Sequence, residues 1–196
     1  TATLTVVQVS RHNEAGGQVV IEAEHFYQRV PNSAVAPHWH LVPDEDGVEF
    51  FADRGQPPFT NARGGKYLQS LPDVVQNQNQ AGLVGTEPFV EYKVQINTPG
   101  IYRLWLRWAN FDGDSDSLYI QIREITSPLW YRYGRLERPD FASAGGGIGW
   151  DGLAAPNTTN AGGGEVPAIW TIPAAGVYTI RISQREDGAA VDALML

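Results

Sequence analysis

The feature that most constrains this chain is an apolar alternation with a period of two, broken again and again by Pro and Gly. From Phe89 to Ile96, Tyr92, Val94 and Ile96 share one face, while Glu91, Lys93 and Gln95 share the other. A Thr98-Pro99-Gly100 turn follows. From Ile101 to Trp108, Tyr102, Leu104, Leu106 and Trp108 then alternate with Arg103, Trp105 and Arg107. A period of two is the signature of a strand, because successive side chains point to opposite faces of a sheet. Two such runs around a Pro-Gly turn predict a hairpin. The pattern returns at Leu118–Ile122, at Ala168–Ile172, at Val177–Ser183 after the turn Pro173-Ala174-Ala175-Gly176, and at Ala189–Leu196. Val19–Glu24 adds a short run near the start. The total is seven or eight short strands. No amphipathic helical stripe extends beyond about ten residues, and the 21 Gly and 13 Pro work against one. The expectation is one all-β domain over residues 1–196, a sandwich or a barrel.

Two stretches, residues 27–66 and 126–167, show no regular pattern and read as long loops. Both are rich in aromatics, so neither reads as a linker. The second holds Trp130, Tyr131, Tyr133, Trp150 and two runs of three glycines. Loops of this length are uncommon in a compact domain and are often functional. The final strand, Val191 to Leu196, carries no polar tail, which suggests a domain cut from a longer protein.

Charge and composition narrow the function. Acidic residues number 22 against 14 basic ones, giving a net charge of −8. With no block of Lys or Arg, a nucleic-acid partner is not expected. No run of 18 apolar residues is present, so no membrane-spanning helix is expected. The absence of Cys excludes disulfides, thiolate zinc sites and cysteine nucleophiles.

Four constellations stand out. Glu22 and Glu24 are two apart on a strand and so share a face, where their charges repel unless a cation intervenes. Hard oxygen donors of this kind suit Ca²⁺. Asp192 lies inside the last apolar strand, where a charge needs a partner. The alternative reading of the glutamates is a solvated strand face. Asp112, Asp114 and Asp116 recur at alternate positions, like the start of a calcium loop. The glycine and glutamate that complete such a loop are missing, so a hairpin loop with Asx-turns competes with a second calcium. The third constellation is the aromatic supply. Trp108 and Trp170 fall on core faces. Trp39, Trp130, Tyr131, Tyr133 and Trp150 fall in the loops, where a flat ring is placed either to stack on the apolar face of a sugar or to pack beneath its own loop. The fourth is His38-Trp39-His40, a spacing that can ligate zinc on a strand. No third ligand is evident in the sequence, and a loop surface is the plainer reading.

Certain segments also resemble a known group. Ile21-Glu22-Ala23-Glu24-His25-Phe26 is similar to the opening strand of carbohydrate-binding module families 6 and 35. Gly100-Ile101-Tyr102-Arg103-Leu104 with Arg107 is similar to their central strand. Arg185-Glu186-Asp187-Gly188 with Ala190-Val191-Asp192 resembles the closing segment of related modules, and Gly64 to Asp73 fits the same group. The resemblance implies a β-sandwich of jelly-roll type, galactose-binding-like. It also implies a structural calcium held by Glu22, Glu24, Asp192 and backbone carbonyls. The segment Gly146-Gly147-Ile148-Gly149-Trp150-Asp151 resembles a ligand-binding stretch of family 6, which makes Trp150 the leading sugar platform and Asn110 its amide partner. Trp39, Trp130, Tyr131 and Asp112 complete the ligand-binding candidates. The implied protein is a secreted or cell-surface, non-catalytic module that tethers an appended catalytic domain to a polysaccharide or oligosaccharide. The alternatives are a polysaccharide hydrolase or lyase domain and a protein-binding adhesion module. The sequence leaves open whether a ligand would lie at the loop edge or on the sheet face bearing Trp105.

Overall fold

The computed structural model describes residues 11–31, 38–45, 59, 61–73, 88–109, 115–134, 148–156 and 164–196. Within them the chain forms sixteen strands, one 3₁₀ turn at Arg63–Gly65 and no α-helix. The first eight strands are β1 (His12–Asn13), β2 (Val20–Glu22), β3 (Gln28–Val30), β4 (His38–Val42), β5 (Tyr67–Leu71), β6 (Phe89–Ile96), β7 (Gly100–Arg103) and β8 (Trp105–Ala109). The remainder are β9 (Ser117–Ile122), β10 (Tyr131–Gly134), β11 (Gly149–Asp151), β12 (Leu153–Pro156), β13 (Val166–Pro167), β14 (Ile169–Ile172), β15 (Gly176–Gln184) and β16 (Ala190–Met195).

Two sheets make the sandwich. The eight-stranded sheet runs β1-β6-β15-β9-β10-β12-β13, with β3 also on β6. The six-stranded sheet runs β11-β8-β16-β5-β4, with β2 also on β16. A separate pair joins β14 to β7. The inward faces supply one core. Tyr92, Val94, Ile120, Ile180 and Ile182 come from the first sheet, and Leu68, Leu106, Trp108, Val191 and Leu194 from the second. These β-branched, aromatic and leucine side chains at alternate positions fit a pleated, half-buried surface.

The strand over Phe89–Ile96 forms as expected, but the hairpin does not. Both edges of β6 are occupied, one by β15 and the other by β1 and β3. The run from Ile101 to Trp108 is divided at Leu104, whose N–H donates to the Ala168 carbonyl at 2.8 Å. Before that point β7 pairs with β14, and after it β8 pairs with β11 and β16. A period of two fixes which face a residue takes, not which strand lies alongside.

The two long aromatic loops also need correction. Residues 27–66 contain β3 and β4, and residues 126–167 contain β10, β11, β12 and β13. These strands are two to five residues long, too short for an alternating pattern to emerge.

Candidate functional site

β8 presents Leu106 and Trp108 to the core, which sends Trp105 and Arg107 outward. β11 pairs with β8 so that Trp150 stands directly across from Arg107. Trp150 therefore lies on the outer face of the six-stranded sheet, and it is 40% exposed. Its neighbours fix its position. The Trp108 indole donates to Asp151 Oδ2 at 3.3 Å, and Leu153 N–H donates to Asp151 Oδ1 at 2.9 Å. On the other side, Ile148 N–H donates to Asn61 Oδ1 and Asn61 Nδ2 donates back to the Ile148 carbonyl. The strand holding Trp150 is thus pinned at both ends.

Trp105 carries a cation on its ring. The Arg103 guanidinium lies 4.2 Å from the ring centroid and donates through Nε and an Nη to the Gly152 carbonyl at 3.2 and 3.0 Å. Gly152 must be glycine here, because a Cβ would meet Arg103 and Trp105 atoms at 2.8 Å. A groove of about 410 Å³ opens alongside, lined by Trp105, Arg103, Tyr102, Ile101, Met195 and Gln18 among others. Small-molecule sites span roughly this size range upward. The face thus offers one exposed indole, a second indole under a guanidinium, and hydrogen-bond donors between them. That is the chemistry of a ring with an apolar face and hydroxyl edges.

Beside this face β2 meets the last strand. β2 and β16 pair with Glu22 opposite Ala193, and Ala23 N–H donates to the Asp192 carbonyl at 2.8 Å. A register shift between Val191 and Ala193 places Asp192 in a bulge, which re-aims its side chain. Asp192 is buried. Its Oδ2 accepts from Arg107 and its Oδ1 accepts from the Arg63 backbone N–H at 2.8 Å. Arg63 Nε donates to Glu22 Oε1 at 2.9 Å. Burial pushes the Glu24 carboxyl above its ordinary value, and the Glu22 and Asp192 charges add to the effect. Burial raises Asp192 also, partly offset by Arg107. The 3₁₀ turn passes close over these groups. Gly64 has φ +61°, and a Cβ on it would lie 3.4 Å from Glu24 Oε1. Glu22 Oε2 and Glu24 Oε2 are buried without a hydrogen-bond partner. Two orphaned anionic oxygens and three carboxylates against two guanidiniums fit a hard cation such as Ca²⁺.

The other sequence candidates divide. Trp39, Trp130 and Tyr131 are corrected from loop aromatics to packed residues on or beside strands. Trp39 is 0% exposed in β4, with its indole donating to the Pro88 carbonyl at 3.1 Å. Trp130 is 9% exposed and packs edge-on to Tyr119 at 4.9 Å. Tyr131 is 5% exposed and edge-on to Trp170, and its hydroxyl bonds both backbone groups of Ile169 at 3.1 Å. No saccharide reaches the face of such a ring. Asn110, Asp112 and Asp114 lie outside the described residues.

Asp116 is buried against Glu186 and lies away from the open face. The pair is tied in by Ser117 Oγ and the Asp116 N–H, which both donate to Glu186 Oε2, and by Arg185. Burial, then the bond to Glu186, pushes the Asp116 carboxyl up to about 7. The acid therefore holds its proton to near neutral pH. The Arg63–Gly65 turn, which covers the carboxylates, was within reach of the sequence. A Gly-Gly pair ahead of a strand marks a turn, and both Gly64 and Gly65 take a positive φ there.

No protein-family model matches the chain. The uncharacterized protein P23 of Formosa agariphila is 25% identical over 193 residues. The match covers 93% of this chain and 44% of that protein, so the chain spans less than half of its curated relative. Among solved structures, the insecticidal crystal protein Cry2Aa is matched at a TM-score of 0.50 and 12% identity, over 94% of this chain and 22% of that one. A family 35 carbohydrate-binding module from Clostridium thermocellum is matched at a TM-score of 0.40 and 15% identity, over 91% and 95% of the two chains. At these identities the likeness is one of fold, an all-β sandwich.

Proposed function

We propose that this chain is a non-catalytic carbohydrate-binding module that holds an appended enzyme to a polysaccharide outside the cell. The observation that carries the reading is the outer face of the six-stranded sheet. There Trp150 stands exposed beside Arg107, with the Trp105–Arg103 stack and its groove next to it. An indole stacks on the C–H face of a pyranose, and guanidiniums and backbone groups take its hydroxyls. Of the two placements the sequence left open, the sheet face is the one this reading adopts. One or two stacked sugars bury little area, so the expected affinity is modest and multivalency supplies the rest.

The proposal includes a structural Ca²⁺ held by Glu22, Glu24 and Asp192. It is supported by their two orphaned oxygens and by the turn that closes over them. The ion would neutralise Glu24 and Asp192, which burial disfavours as anions, and it would join β2 to β16. Its role would be stability, with no part in the sugar contact. A second Ca²⁺ near Asp112, Asp114 and Asp116 is a separate expectation, and Asp112 and Asp114 lie outside the described residues.

Affinity electrophoresis against plant and algal polysaccharides, with and without a chelator, tests both parts. Wild-type protein should be retarded by at least one polysaccharide, and Trp150→Ala should migrate freely. Unchanged retardation of that variant would move the site off this face. Reducing-sugar release from the same polysaccharides tests the non-catalytic assignment.

A further inference from the structure

We propose that His38, His40 and Glu45 form a binding site for a divalent transition metal of the zinc type, separate from the carboxylates of β2 and β16. One donor atom from each of the three lies within 4.8 Å of the others. Donors around tetrahedral zinc stand about 3.3 Å apart for bonds of about 2.0–2.1 Å, so closure needs only small side-chain rotations.

Local structure makes the set. His38 and His40 are two apart on β4 and share its outer face, with ring centroids 3.6 Å apart. The chain then turns back, with Glu45 N–H donating to the Leu41 carbonyl at 2.7 Å. This turn is what a sequence reading misses, because it supplies the third ligand five residues downstream. Glu45 Oε2 accepts from Leu41 N–H at 3.1 Å, and Arg29 donates to both carboxylate oxygens at 2.5 and 3.1 Å. Arg29 is itself fixed by a bond to the Trp39 carbonyl at 2.9 Å. Outer partners of this sort orient ligands in metal sites, and Glu45 Oε1, which accepts a single bond, keeps a lone pair for an ion.

His40 hydrogen-bonds the Leu71 backbone, which fixes its tautomer. Two imidazoles and one carboxylate favour zinc-type ions over Ca²⁺. Three protein ligands leave a fourth position for water. Gln69 stands directly across the ladder from His40 on the same face, and its Oε1 is buried without a hydrogen-bond partner.

The test is a titration of metal-stripped protein with Zn²⁺ alone against a chromophoric chelator, repeated with Co²⁺ for its visible spectrum. Wild type should take one equivalent of Zn²⁺, unchanged by excess Ca²⁺. It should give the intense bands of four-coordinate Co²⁺ and melt at a higher temperature with Zn²⁺. His38→Gln and His40→Gln should each weaken uptake by more than about 100-fold, since loss of an outer partner alone costs about 10–100-fold. Glu45→Gln, at a partly exposed position, should weaken uptake and keep the strand-type circular dichroism. The proposal is overturned if wild type binds no stoichiometric Zn²⁺, or if a folded Glu45→Gln protein binds as wild type does. A faint octahedral Co²⁺ spectrum also overturns it.

Discussion

The two edges of the six-stranded sheet share one outer face and use it in opposite ways. At the β8–β11 edge the outward side chains are Trp105, Arg107 and Trp150, and Trp150 is open to solvent. At the β4–β5 edge the outward side chains are His38, His40, Gln69 and Tyr67, and all are buried. Phe59 covers part of that edge, edge-on to Tyr67 at 5.6 Å, with its N–H donating to the Tyr67 hydroxyl at 3.2 Å. Exposure on a sheet face is thus decided by what folds over it, and the strand pattern is the same at both edges. The proposed saccharide surface lies at the open edge, and the proposed metal site at the covered one.

The contrast can be broken by mutation. Trp39→Ala, at the covered edge, removes a fully buried indole and should cost about 3–5 kcal/mol in chemical denaturation. A loss below 1 kcal/mol would mean that this edge is not packed as described. A smaller effect separates the buried acids of the other sheet. Asp116 has a folded value near 7 against 3.8 ordinarily, so the folded state binds the extra proton between these values. Stability should therefore fall as pH rises from about 4 to about 7. Asp116→Asn, a permanent analogue of the protonated acid, should flatten that slope. It should add on the order of 1 kcal/mol at pH 8, and an unaltered slope would place the proton elsewhere. The smallest effect on stability belongs to Trp150→Ala, expected within about 0.5 kcal/mol of wild type as an exposed position. Its loss of polysaccharide retardation alongside an unchanged melting curve is what would set the open edge apart as a binding surface. A large destabilisation would erase the distinction.

Much of the fold was legible because long strands advertise themselves. Phe89–Ile96 forms with the bounds that its alternation indicates, and Tyr92, Val94 and Ile96 face inward. The convergence of Glu22 and Asp192 was indicated by the resemblance to carbohydrate-binding modules, with Asp192 marked in addition as a charge inside an apolar strand. Pairing was not, since a strand of period two fits any partner, and so β6 joins β15 instead of β7. The site residues fared unevenly for the same reason. Trp39 and Trp150 both sit between polar or glycine neighbours, in His38-Trp39-His40 and Gly149-Trp150-Asp151. One ring is sealed and the other open because β4 turns Trp39 to the core, whereas β11 turns Trp150 outward. Glu45 went unrecognised as a companion of the histidines because a turn, not a period, brings it back.

β16 has a further consequence for how the domain is made. It is the central strand of its sheet, paired with β8, β5 and β2, and it follows all of them in the sequence. During synthesis those three strands emerge with no common neighbour to bind them. Closure of the sheet must wait for residues 190–195, so this half of the domain depends on contacts of high sequence separation and should assemble late.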